Sequence, residues 1–318
     1  MSKRKLRTVF AVAMITIAFA GSMVLASCQR GQQQASGGKP VVVVVLKTLS
    51  SPYWQTVLSG ARAAAEEFGF DLVELGPASE DHVTEQINML EDAISQGNIA
   101  GIVFSPSQPP TAINALNRAS AANIPVAVVD TPMPDGFDAF LTFIGSNNYQ
   151  IGVLGAQEML KVLPAGGRVM ILEGAPGNVA TMERADGAES VFRGAGIVIE
   201  SRQPGYSDRE RAFSIIQNVL QRGDIDGVFA ANDDMAEGAL FALTQSNKRA
   251  VVLGVDGNLS ARESVRDGGL FGTVAQDAAG MGFQGVEAIH RVLNGQNVER
   301  RIDANTPVIT SANVSQHL

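Results

Sequence analysis

From Val41 onward, short apolar runs alternate with longer amphipathic stretches. Val41-Val42-Val43-Val44-Val45-Leu46 is a continuous, mostly β-branched run, as expected for a strand covered on both faces. Pro52 then opens a segment to Phe68 in which Trp54, Val57, Leu58, Ala61, Ala65 and Phe68 follow helical spacing, and Gly69 ends it. The same reading predicts strands over 70–75, 99–104, 126–129 and 140–144, with helices over 79–96 and 110–122. Beyond the break at Gly145-Ser146-Asn147 the rhythm repeats. Strands are expected over 169–172, 197–200, 227–230, 251–255 and 272–274, and helices over 182–193, 208–221, 233–245, 259–266 and 278–293. Alternating units of this length imply parallel sheets wound on both faces by right-handed crossovers. Ten strands crowd one sheet, so the pattern predicts an α/β protein of two similar, doubly wound lobes.

The first 39 residues break this rhythm. Lys3, Arg4, Lys5 and Arg7 precede an apolar stretch from Thr8 to Ala26, which ends in Leu25-Ala26-Ser27-Cys28. A basic start, an apolar middle and small residues before a cut site describe a secretory signal. A single membrane span has a similar length, but the lone Cys directly after Leu-Ala-Ser resembles a bacterial lipobox. The expectation is a signal over 1–27 and lipidation of Cys28. A Gln-, Gly- and Ser-rich run to residue 39 reads as a tether. The product would be exported and held to the cell envelope by lipid alone.

Composition narrows the chemistry. The 318 residues are 45% apolar and 18% charged, which excludes wholesale disorder. The net charge is −8, and removal of the basic leader leaves 20 basic against 32 acidic residues, a net of −12. No broad phosphate-neutralising face is expected, so nucleic acid is not a partner. One Cys and three scattered His (His82, His290, His317) exclude a Cys/His metal site by counting. Gly280-x-Gly282-x-x-Gly285 matches a dinucleotide fingerprint as a string, but its glycines fall inside a helix instead of at a strand-to-helix turn. It reads as close helix packing. No Gly-x-Ser-x-Gly occurs. Neither a cofactor nor catalysis is expected.

Ligands of open α/β sheets bind beyond the carboxyl ends of the strands. The residues just past the apolar runs are Lys47, Asp130, Asn232, Asp256 and Gln276. Together they donate and accept hydrogen bonds, which suits a molecule rich in hydroxyls. Tyr53 and Trp54, the only Trp, follow the first strand and could stack on a sugar ring. Each residue also has a plainer reading. Trp54 suits a helix core, Asp130 a turn, and Arg184 a surface ion pair. Asp233 suits a helix N-cap, leaving Asn232 for ligand.

In chain order, Lys47-Thr48-Leu49-Ser50-Ser51-Pro52-Tyr53-Trp54, Val129-Asp130, Glu183-Arg184, Asn232-Asp233-Asp234-Met235-Ala236, Gly254-Val255-Asp256-Gly257 and Val274-Ala275-Gln276 resemble the ribose-binding family of type I periplasmic solute receptors. The resemblance covers roughly residues 40–313. It implies two lobes joined by a hinge, 40–145 with 277–305 and 146–276 with 306–318. It also implies ligand contacts from Ser51, Tyr53, Trp54, Asp130, Arg184, Tyr206, Asn232, Asp256 and Gln276, with Tyr206 covering one sugar face. Thr131 stands where the ribose binders usually carry Arg, Lys47 where they carry a short hydroxyl residue, and Ser51 where they carry Asn. The stretch around Lys47 and Trp54 looks closer to the allose-binding branch, which favours a hexose or related polyol over ribose. The resemblance implies a monomer that hands a monosaccharide to the permease of an ABC importer. Two other readings share the body: a receptor passing a sugar or autoinducer to a membrane sensor, and a sugar-responsive transcription regulator. The regulator needs a helix-turn-helix headpiece, and residues 1–39 carry an export signal in its place.

Overall fold

The computed structural model describes residues 38–318, which places the leader, Cys28 and nearly all of the tether outside the described residues. Residues Pro40–Leu318 form one compact unit, and no helix among the described residues is long and apolar enough to cross a membrane.

Among the described residues the strands make two six-stranded sheets of matching order. In the first, β1 (Val41–Val45) lies between β2 (Asp71–Leu75) and β3 (Gly101–Phe104), followed by β4 (Val126–Val129), β5 (Thr142–Gly145) and β11 (Arg301–Asp303), all parallel. In the second, β6 (Arg168–Glu173) lies between β7 (Val198–Pro204) and β8 (Gly227–Ala230), followed by β9 (Val251–Asp256), β10 (Gly272–Ala275) and an antiparallel β12 (Val308–Thr310). The chain therefore passes between the sheets three times: after β5, after β10 and between β11 and β12.

The all-apolar strands are explained by burial on both faces. Val42 and Val44 pack with α1 (Pro52–Phe68) and α9 (Ala278–Leu293). Val43 and Val45 pack with α2 (Val83–Gln96) and α3 (Pro109–Ala121). In the second sheet, Val169 and Ile171 meet α4 (Asn148–Leu160) and α5 (Val179–Gly194). Met170 and Leu172 meet α6 (Arg209–Leu220) and α7 (Asp233–Gln245). A last helix, α8 (Leu259–Arg266), packs beside β10 and β12.

The expected elements are present, with helices α1, α7, α8 and α9 at the expected bounds. Helix α4 and strands β11 and β12 are additions to the expected set. The glycines of Gly280-x-Gly282-x-x-Gly285 lie within α9. A Cβ on Gly282 would overlap the Val57 carbonyl oxygen of α1, and one on Gly60 would overlap the Ala279 carbonyl oxygen. The two backbones meet directly. Gly282→Ala is therefore expected to force α1 and α9 apart and to lower stability by about 1–3 kcal/mol. Equilibrium urea unfolding measures this, and an unchanged midpoint would show that the helices are free to shift.

Candidate ligand-binding site

The carboxyl ends of both sheets face one another, and the residues beyond them interleave. From the first sheet, Lys47 follows β1 and Asp130 follows β4, while Ser51, Tyr53 and Trp54 lie at the start of α1. Helix α1 starts here because Pro52 takes its first position, where a missing N–H costs nothing. The N-cap Ser51 makes no cap bond; its hydroxyl instead donates to Asp234 Oδ2 of α7 at 3.0 Å. From the second sheet come Asp256 at the end of β9, Arg184 from α5 and Asn232 before α7.

Arg184 is the centre of the arrangement. It is 3% exposed, its Nε donates to Asn148 Oδ1 at 2.8 Å, and its Nη1 donates to the Ala231 carbonyl at 2.9 Å. The same guanidinium lies 3.3 Å from Asp256 Oδ1 and 3.7 Å from Asp130 Oδ1, so it touches an aspartate from each sheet. Close backbone packing sets its position, since a Cβ on Gly152 of α4 would overlap the Arg184 carbonyl oxygen. Asp130 also accepts from Lys47 Nζ at 3.0 Å, the Tyr53 hydroxyl at 2.9 Å and the Thr131 hydroxyl at 2.7 Å. Asp256 Oδ1 accepts from Gln276 Nε2 at 2.9 Å. Both aspartates have positive φ, 64° at Asp130 and 117° at Asp256. Such strain in non-glycine residues clusters at ligand sites and persists only where the surroundings over-determine it.

The two carboxyls differ electrostatically. Burial opposes ionisation of Asp130, but Lys47 and Arg184 together outweigh it and hold the group below the usual carboxylate range. At Asp256, burial dominates, and with the Asp130 charge it outweighs Arg184 and raises the carboxyl to about 7. Asp233 is pushed up well above the usual range by burial and then by Asp256. Burial and the Asp130 charge likewise raise the Tyr53 phenol.

Of the expected residues, Lys47, Ser51, Tyr53, Trp54, Asp130, Arg184, Asn232 and Asp256 line one cavity. Thr131 and Gln276 stand behind the two aspartates. Tyr206 lies apart from this cavity, in an adjoining groove with its ring under the Arg211 guanidinium at 4.3 Å. Trp54 packs in the core and also lines the cavity. Two of the plainer readings need correction. Asn232, and not Asp233, is the N-cap of α7, because its Oδ1 accepts from the Met235 N–H at 3.0 Å. Arg184 is a buried hub, and not a surface ion pair, because α5 carries it beneath Ala231.

Glu80 and Asn178, neither of them directly past an apolar run, also line the cavity. Asn178, the N-cap of α5, accepts from Lys47 Nζ at 3.3 Å and donates to Glu80 Oε2 at 3.3 Å. Glu80 Oε1 in turn accepts from Trp54 Nε1 at 2.8 Å. Each lies five residues beyond its strand, β2 or β6, in the loop at the carboxyl end of that strand. The cavity among these side chains is about 20 Å³, close to the volume of one water. A molecule larger than a water can enter only when the two sides part. Among the described residues no cluster of His, Cys, Asp and Glu is placed to hold a metal.

Residues 42–297 match the family model described as the periplasmic binding protein domain. The chain belongs to the periplasmic binding protein family. Within this family it is 30% identical over 273 residues to the ribose import binding protein of Escherichia coli K12, covering 85% of this chain and 90% of that one. It is 33% identical over 257 residues to the D-allose-binding periplasmic protein of the same organism, covering 77% and 81%. An ABC transporter solute-binding protein from Agrobacterium vitis, solved with D-fucose, superposes with a TM-score of 0.83 at 29% identity, covering 87% of this chain and 97% of that one. The periplasmic binding protein fold thus accounts for the paired sheets.

Proposed function

We propose that this protein captures a neutral monosaccharide outside the cytoplasm and delivers it to the permease of an ABC importer. A hexose such as allose, or a related polyol, fits better than ribose. The observation that carries this reading is the Asp130–Arg184–Asp256 chain, in which one buried guanidinium spans aspartates from both sheets. With Lys47 it presents donors and acceptors in alternation, the pattern that hydroxyls satisfy, and Gln276 supports Asp256 from behind. Ser51, Tyr53, Trp54, Asn232 and Glu80 complete the ring of contacts, and Thr131 supports Asp130. The names of the relatives, for ribose, allose and fucose, support a neutral sugar.

The lobes are taken as 40–145 with 277–305 and 146–276 with 306–318, with the hinge at the three crossings. A sugar touching both lobes binds their apposed arrangement more tightly than the parted one, and that difference drives closure. No step of covalent chemistry is involved. Cys28, lipidated after removal of the leader, would hold the body to the envelope.

A thermal-shift screen of neutral pentoses, hexoses and polyols tests the reading. At a hundredfold excess over Kd, a ligand adds about 2.7 kcal/mol and raises the melting temperature by roughly 5 °C or more. Allose and its epimers are expected to give the largest shifts. A flat response across the panel would overturn the sugar assignment.

A further inference from the structure

Behind the Asp256 carboxyl lies a second acid that is not among the cavity-lining residues. Asp233, the first residue of α7, is fully buried. Both of its oxygens accept hydrogen bonds from groups that shape the end of β9. Oδ2 accepts from the Asn258 backbone N–H at 2.8 Å, and Oδ1 accepts from the Thr273 hydroxyl at 2.7 Å. Thr273 Oγ1 in turn accepts from the Gly257 backbone N–H at 3.1 Å. The two amides held this way directly follow Asp256, where φ is 117°, and the turn continues through Gly257 at φ 73°. Gly254 makes room for the acid, since a Cβ there would overlap Asp233 Oδ1.

We infer that Asp233 is a positioning residue for the sugar site, holding the strained Asp256–Gly257 turn through Asn258 and the Thr273 relay. The inference rests on the proposed binding role and adds a residue to it. An uncommon φ in a residue other than glycine needs surroundings that fix it, and these bonds supply the fixing. Each clamps one of the two amides that follow the aspartate. A carboxyl suits the position because two donors converge on one side chain and each meets its own oxygen, whereas an asparagine offers a single acceptor oxygen. With the turn held, Asp256 Oδ1 stays within reach of Arg184 and Gln276.

The test compares Asp233→Ala, Asp233→Asn and Thr273→Val in the full chain, each alone and combined with Asp256→Ala. With the tightest sugar of the screen, calorimetry is expected to show at least about a tenfold loss for Asp233→Ala and a smaller loss for Asp233→Asn, which keeps one acceptor. If Asp233 acts through Asp256, adding its substitution to Asp256→Ala changes affinity by less than about twofold. Equal losses in both backgrounds, or no loss in either, overturn the inference. A second arm needs no sugar. Amide exchange at Gly257 and Asn258 is expected to quicken in Asp233→Ala, and at Gly257 alone in Thr273→Val. Unchanged exchange at both amides overturns the inference. Should Asp233→Ala not fold, Thr273→Val preserves side-chain shape and carries both arms. A native protein that binds no sugar retires the functional reading, and the exchange arm still decides the role of Asp233 in the turn.

Discussion

Arg184→Ala is expected to weaken sugar binding by at least tenfold while leaving a cooperatively folded protein. The guanidinium is buried and joins Asp130 to Asp256, Asn148 and the Ala231 carbonyl. A hydrogen bond to a charged group contributes about 1.5–3 kcal/mol, which corresponds to roughly a 10- to 150-fold change in affinity. Removing the cation also leaves two buried carboxylates with less compensation, so the effect belongs at the upper end of that range. Arg184→Lys separates charge from geometry. An ammonium keeps the charge but cannot reach Asn148, Ala231 and both aspartates as a planar fork does, so it should recover only part of the loss. Calorimetric titration with the tightest sugar of the screen, alongside thermal unfolding to verify folding, measures both variants. Unchanged affinity in Arg184→Ala would remove the guanidinium from the site and with it the assigned centre of recognition.

Much of this centre was legible because parallel sheets hide little. A strand buried on both faces must be apolar, so Val41–Val45 announces itself, and the first polar residue beyond it marks the ligand end. Lys47, Asp130, Asn232 and Asp256 were reached by that rule. Helix α1 was equally plain, opened by Pro52 and closed by Gly69 at φ 77°. Helix α4 was not, because burial against the second sheet and α5 leaves it without a clear polar stripe, and Gly152 and Gly155 weaken its helical signature. Strands β11 and β12 are three residues each and exist only because a sheet edge receives them. Glu80 and Asn178 are not legible in the pattern, because loop geometry, and not periodicity, brings them to the cavity. The capping role of Asn232 is hidden in the sequence for a related reason. Asn and Asp are nearly equal as caps, and only the buried contacts of Asp233 with Thr273 and Asn258 decide between them.

Stability is expected to fall as pH rises from 5.5 to 8, and Asp256→Asn should remove much of that fall. The Asp256 carboxyl is raised to about 7 by burial and by the Asp130 charge, against the pull of Arg184. In the unfolded chain it titrates near 3.9. Between these values the folded protein holds a proton that the unfolded chain has released. The associated stability is therefore complete below about pH 4 and is lost as pH rises through about 7. From 5.5 upward the remaining change is about 2 kcal/mol for this group alone. Asp233 is also raised, by burial and by Asp256, so it adds to the slope in the same sense. Asp130 is lowered by Lys47 and Arg184 and stays ionised across this window, so its contribution is constant there. Substituting Asn for Asp256 removes one titration and relieves the charge that raises Asp233. Urea unfolding at pH 5.5 and pH 8 on both proteins measures the difference. Equal slopes, or greater stability at pH 8 in the native protein, would show that Asp256 is ionised and compensated throughout, with Arg184 dominating burial.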